Sequence, residues 1–96
     1  MRRSETVEML RRHADDIRSF GATGLYLFGS TARDCAGEAS DVDLFVDYDD
    51  RFSFVELIRL NEYLSELLAR PADLTTREGL HPAIRNFVEA EAVRVF

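Results

Sequence analysis

The sequence predicts a small α/β (α+β) domain, a mixed sheet of short strands with helices packed against it. Three observations carry this reading. Apolar residues recur at helical three- and four-residue steps in some stretches and form short continuous or alternating runs in others. The two kinds of stretch alternate along the chain, the pattern of a sheet layered with helices. At 96 residues the chain has room for one domain, residues 1–96, burying roughly 60–65% of its unfolded surface.

The elements follow in order. Val7, Leu10, Ala14 and Ile17 lie on one face of a predicted helix over residues 4–19, and Gly21 and Gly24 punctuate its end. Leu25-Tyr26-Leu27-Phe28 is short and apolar throughout, as a strand covered on both faces should be. Residues 31–35 allow one helical turn and residues 36–40 read as loop. A second strand is predicted over residues 42–48, followed by a solvated turn carrying Asp47, Asp49, Asp50 and Arg51. Ser53 and Glu56 have capping-box spacing before a Leu-rich helix that runs through residue 69 and stops before Pro71. Residues 72–76 form a short third strand. Pro82 suits a first helical turn whose buried side is Ile84, Phe87 and Val88, and residues 93–96 alternate as a last short strand.

Composition removes several classes of function. The longest apolar run is four residues, so no membrane span is expected, and Arg2 and Arg3 are followed by no apolar segment resembling a signal peptide. A lone cysteine, Cys35, permits no internal disulfide, and a cytoplasmic location is expected. All twelve basic residues are Arg, against eighteen acidic ones, a net charge of −6. Such a domain does not grip nucleic acid through bulk electrostatics, so no direct nucleic-acid contact is expected.

One constellation carries chemistry. Gly29-Ser30 is followed, after ten intervening residues, by Asp41-Val42-Asp43. A two-residue step on a strand turns both carboxylates to one face, where they repel unless a divalent cation neutralises them. Asp73 lies on the third predicted strand, and if that strand pairs with the second, three acids converge. Hard oxygen ligands of this kind suit Mg²⁺ or Mn²⁺. Gly29 lets backbone approach a ligand closely, the turn amides and the Ser30 hydroxyl suit phosphate oxygens, and Arg33 adds a positive charge or an ion pair nearby. A triphosphate cradle beside a carboxylate cage is the equipment of two-metal nucleotidyl transfer.

Leu27-Phe28-Gly29-Ser30-Thr31-Ala32-Arg33, the spacing to Ser40-Asp41-Val42-Asp43-Leu44-Phe45-Val46, and the segments Ala72–Thr76, Gly79–Pro82 and Glu91–Val93 resemble the minimal nucleotidyltransferase (MNT) domains of the DNA polymerase β superfamily. The resemblance spans residues 20–96 and implies a nucleotidyltransferase-like mixed sheet. It implies Asp41, Asp43 and Asp73 as catalytic metal ligands for two Mg²⁺, and Gly29 and Ser30 as nucleotide-binding residues, to which the nearness of Arg33 in sequence adds a third. It further implies an antitoxin that transfers AMP from ATP to a hydroxyl, a tyrosine's, of a HEPN-family toxin partner, within a hetero- or homo-oligomer. Asp34 stands where the family usually has glycine. That departure motivates the alternative, an antitoxin that neutralises its partner by binding alone.

Other residues have plainer expectations. His13 and His81 read as surface or cap residues, Cys35 as a small, buried or half-buried side chain, and Tyr26 as packing. The Leu stripe of residues 57–68 reads as core, with some apolar surface left for a partner.

Overall fold

The chain runs α1 (Arg3–Arg12), α2 (Ala14–Arg18), β1 (Ala22–Phe28), α3 (Gly29–Ala32), β2 (Val42–Tyr48), α4 (Phe54–Leu68), β3 (Ala72–Thr76), α5 (Pro82–Glu91) and β4 (Val93–Arg94). These elements are those of a computed structural model, which describes residues 2–33 and 41–96. The expectations for Asp34, Cys35 and the loop over 36–40 fall outside the described residues.

The four strands form one mixed sheet in the order β3-β2-β1-β4. β1 is antiparallel to β2 and β4, whereas β2 and β3 are parallel and joined through α4. A parallel pair needs such a crossover, which is why the Leu-rich helix lies between the two strands in sequence. Strand alternation then sorts the side chains into two layers. Leu25, Leu27, Val42, Leu44 and Val46 pack in one buried cluster with Leu10 of α1, Ile17 of α2 and Leu60, Leu64 and Leu68 of α4. Tyr26, Phe28 and Phe45 cluster instead with Leu80 and with Val88 of α5. The second face is thus partly covered by one short helix, and it is the face on which Asp43 lies, one residue from Val42 and Leu44.

Several local expectations need correction. The predicted helix over 4–19 is two helices that meet at His13, whose Nδ1 lies 3.0 Å from the Met9 carbonyl oxygen. β1 begins at Ala22, so Gly24 sits within a strand rather than ending a helix; Gly21, at φ +106°, makes the turn before it. The helical turn comes two residues earlier than predicted, starting at Gly29 itself. The Ser53–Glu56 capping box does not form: the Ser53 hydroxyl donates to Glu56 Oε1 at 2.6 Å instead of accepting from backbone. α4 ends through Ala69 in the left-handed region (φ +53°), with the Arg70 amide donating to the Ser65 carbonyl at 3.2 Å. Ile58, Ile84 and Phe87 are exposed rather than core. β4 pairs through Val93 and Arg94, shorter than the predicted 93–96.

β3 lies at the sheet edge, and α4 satisfies it. The Leu74 amide donates to Asn61 Oδ1 and the Ala72 amide to Ser65 Oγ, both at 2.9 Å. Two polar side chains on one helix face thus take amides that an edge strand would leave open. They also fix the strand that carries Asp73. Among the described residues no helix is long and apolar enough to cross a membrane.

Candidate active site

Asp73 and Asp43 are register partners across the parallel β2–β3 pair, and Phe28 is opposite Asp43 across β1–β2. One row of the sheet therefore reads Asp73, Asp43, Phe28. Asp41 immediately precedes β2 and is exposed. The expected convergence of the second and third strands is thus present, because α4 returns the chain parallel to β2.

Gly29 closes this row from above. Its φ is +74°, and a Cβ built there would collide with the Asp43 carboxylate and lie 3.2 Å from Asp43 Cγ. Glycine is required twice over, by backbone conformation and by contact with the acid. The Gly-Ser turn and the second aspartate of the Asp-x-Asp pair, fourteen residues apart in sequence, are in contact through this one position.

The Asp43 carboxyl is held above its ordinary range. Burial is the first cause; the negative charges of Asp73 and Asp41 add to it, and the Arg33 guanidinium opposes it. Asp43 therefore senses the charges of both Asp73 and Asp41. Among the described residues no three His, Cys, Asp or Glu side chains already stand gathered as a metal cage. Mutual repulsion spreads carboxylates, and a divalent cation reverses that preference. All-oxygen donors at the rim of a sheet fit Mg²⁺ rather than a softer ion.

Arg33 follows α3 and joins it to the far end of α5. Its Nη1 donates to Glu91 Oε1 at 3.0 Å and Oε2 at 3.3 Å. Sequence reasoning placed Arg33 near phosphates or in an ion pair, and the structure supplies the ion pair. It gave no role to Glu91.

A second arginine organises the same face of the sheet further along β2. Arg77 Nε and Nη2 donate to the two Asp47 carboxylate oxygens at 2.8 and 2.9 Å, and Nη1 donates to Glu89 Oε2 at 3.0 Å. Its guanidinium lies 4.9 Å from the ring centroids of both Tyr26 and Phe45, which stack on each other at 4.7 Å. These bonds hold Arg77 charged well beyond its ordinary range. Asp47 is accordingly no turn residue: it belongs to β2 and is half of a forked ion pair. The strand alternation Asp43-x-Phe45-x-Asp47 was the available signal. Asp49 does occupy the predicted turn, paired with Arg51 at 2.9 Å.

His81 caps α5, its Nδ1 accepting from the Ala83 amide at 3.1 Å. Tyr26 is packing, as expected, while Tyr63 donates to Asp16 Oδ2 at 3.3 Å and Tyr48 is partly exposed.

A mixed sheet with paired acids on neighbouring strands and a Gly-Ser turn against one of them is the arrangement of a nucleotidyltransferase-type fold. Residues 10–95 match the nucleotidyltransferase domain family, and the chain belongs to it. It is 37% identical over 92 residues to the protein adenylyltransferase MntA of Thermococcus cleftensis, covering 95% of this chain and 93% of that protein. A solved protein thought to be a minimal nucleotidyltransferase superposes with a TM-score of 0.74 at 34% identity, covering 91% of this chain and 93% of that one. A chain from a complex of tri-AMPylated HEPN toxin and MNT antitoxin from Shewanella oneidensis superposes with a TM-score of 0.67, covering 94% of this chain and 71% of that one. At 17% identity the last likeness shows the fold alone.

Proposed function

We propose that this protein is an Mg²⁺-dependent protein adenylyltransferase acting as the antitoxin of a HEPN/MNT pair, moving AMP from ATP to a tyrosine hydroxyl of its toxin partner. The observation that carries the reading is the row Asp73–Asp43 with Gly29 against Asp43, which brings the Gly-Ser turn and the acids into one place. The MntA relative supplies the adenylyl group and the HEPN–MNT complex supplies the kind of partner.

In this reading the Gly29–Ser30 turn and the Ser30 hydroxyl hold the triphosphate, and Arg33 contributes positive charge to it. Asp41, Asp43 and Asp73 would hold two Mg²⁺ ions, whose chemistry there is to neutralise phosphate charge and favour an ionised acceptor oxygen. Asp73 directs deprotonation of the acceptor hydroxyl. The acceptor oxygen bonds to the α-phosphorus as the bond to the bridging oxygen breaks, and pyrophosphate departs with its electron pair. In this reading the partner supplies the acceptor hydroxyl.

The test is coexpression with the HEPN-family protein that the reading requires, followed by mass spectrometry of that protein and a growth assay of neutralisation. AMP on a partner tyrosine with the wild-type chain, absent with Asp43→Asn or Asp41→Asn, supports the reading. Full neutralisation by both variants without AMP transfer would replace it with neutralisation by binding alone.

A further inference from the structure

We propose that Glu91 is a positioning residue for nucleotide binding: its carboxylate, at the end of α5, holds the Arg33 guanidinium beside the Gly29–Ser30 turn to meet the polyphosphate. The inference rests on the reading of that turn as the triphosphate cradle.

Four observations carry it. Glu91 grips one nitrogen of Arg33 with both oxygens, at 3.0 and 3.3 Å, across 58 residues of sequence. The pair is asymmetric: the Glu91 side chain is 19% exposed and that of Arg33 52%. The acid is therefore the fixed anchor and the base the group that reaches solvent. Glu91 is also the last residue of α5, and that helix has no basic residue in its last turn. A carboxylate there meets the negative end of the helix dipole, a local cost that a facing arginine offsets. Finally, Arg33 follows Ser30 by three residues and ends the helical turn that Gly29 and Ser30 open, so α3 itself ties the base to the turn.

The chemistry needs such an anchor. An arginine left unheld near carboxylates would pair with them and compete with a bound cation. Tied from behind by Glu91, it keeps its positive charge on the phosphate side. An arginine oriented in advance loses less rotamer freedom when phosphate arrives.

The test uses the complex with its partner and reads AMP transfer against ATP concentration. Glu91→Gln and Arg33→Gln should each raise KM for ATP about tenfold, with kcat within about threefold of wild type. The double variant should be no worse than Arg33→Gln alone, because Glu91 acts through Arg33. Glu91→Asp, which keeps the charge on a shorter stem, should give an intermediate KM. Glu8→Gln, which removes an exposed pair with Arg12, should change neither parameter. Partial unfolding lowers kcat through the active fraction and leaves KM in place, so it does not mimic the expected split. A wild-type or lowered KM in Glu91→Gln, or a full second penalty in the double variant, overturns the proposal. Asp43→Asn separates the two levels: with that variant inactive, only the positioning role is overturned, and with it fully active the underlying site reading falls too.

Discussion

Asp43 and Asp73 face each other as register partners across the β2–β3 pair, two like charges side by side on a half-covered sheet face. Folding raises the Asp43 carboxyl above its ordinary value of 3.8, first by burial and then through Asp73 and Asp41. The folded state therefore binds this proton more tightly than the unfolded state, and the group's contribution to stability falls as pH rises through its raised range. Asp43→Asn should stabilise the cation-free protein at neutral pH, on the order of 0.5–1 kcal/mol. The advantage should shrink toward zero as pH falls below about 4. Thermal melts in chelator across this pH range check the prediction; a variant less stable than wild type at neutral pH would contradict it.

The same repulsion predicts a response to cations. Adding Mg²⁺ should raise the melting temperature of the wild-type chain and leave that of Asp43→Asn much closer to its chelated value. Equal shifts in both would place any bound ion elsewhere.

Gly29 sits at φ +74° with its missing side chain directed at the Asp43 carboxylate. Gly29→Ala should cost about 1–2 kcal/mol in backbone strain alone. It should also lower AMP transfer by more than tenfold, because the acid must move aside. Denaturant unfolding and transfer assays on the same preparation separate the two effects. Wild-type transfer by a folded Ala variant would contradict the contact.

Arg77 links β2, α5 and the segment after β3 through Asp47, Glu89 and two aromatic rings. Arg77→Met keeps the apolar stem and removes the donors, leaving two half-covered carboxylates without a partner. We expect a loss of about 1–3 kcal/mol, read by denaturant unfolding. A change below about 0.5 kcal/mol would show the network to be incidental.

Asn61 accepts the Leu74 amide and so holds the edge strand that carries Asp73. Asn61→Ala should destabilise by about 1–2 kcal/mol and speed hydrogen exchange at the Leu74 amide well beyond that at the central strands. Unchanged protection at Leu74 would remove α4 from the account of how Asp73 is placed.

What the sequence made legible follows from range. β2 and β3 were readable over residues 42–48 and 72–76 because their alternation or brevity, and Pro71, are local signals. The acids were readable because a two-residue step on a strand fixes a shared face. The break at His13, by contrast, has no Gly or Pro to mark it, and the helical period passes through unchanged. The failed capping box obeys the spacing rule, yet in the fold its two side chains bond each other. Asp47 lies in a run of acids that looks like a solvated turn, and only Arg77, thirty residues on, shows otherwise. Glu91, Glu89, Asn61 and Ser65 all act on partners that the fold brings together, and no short-range pattern names such partners.

The measurement closest to the central claim compares ATP labelled at the α-phosphate with ATP labelled at the γ-phosphate, given with Mg²⁺ to the complex of this chain and its partner. Nucleotidyl transfer predicts label on the partner from the α-position only, pyrophosphate released in equal amount, and neither product with Asp43→Asn. Label from the γ-position, or α-label undiminished in Asp43→Asn, would contradict the account.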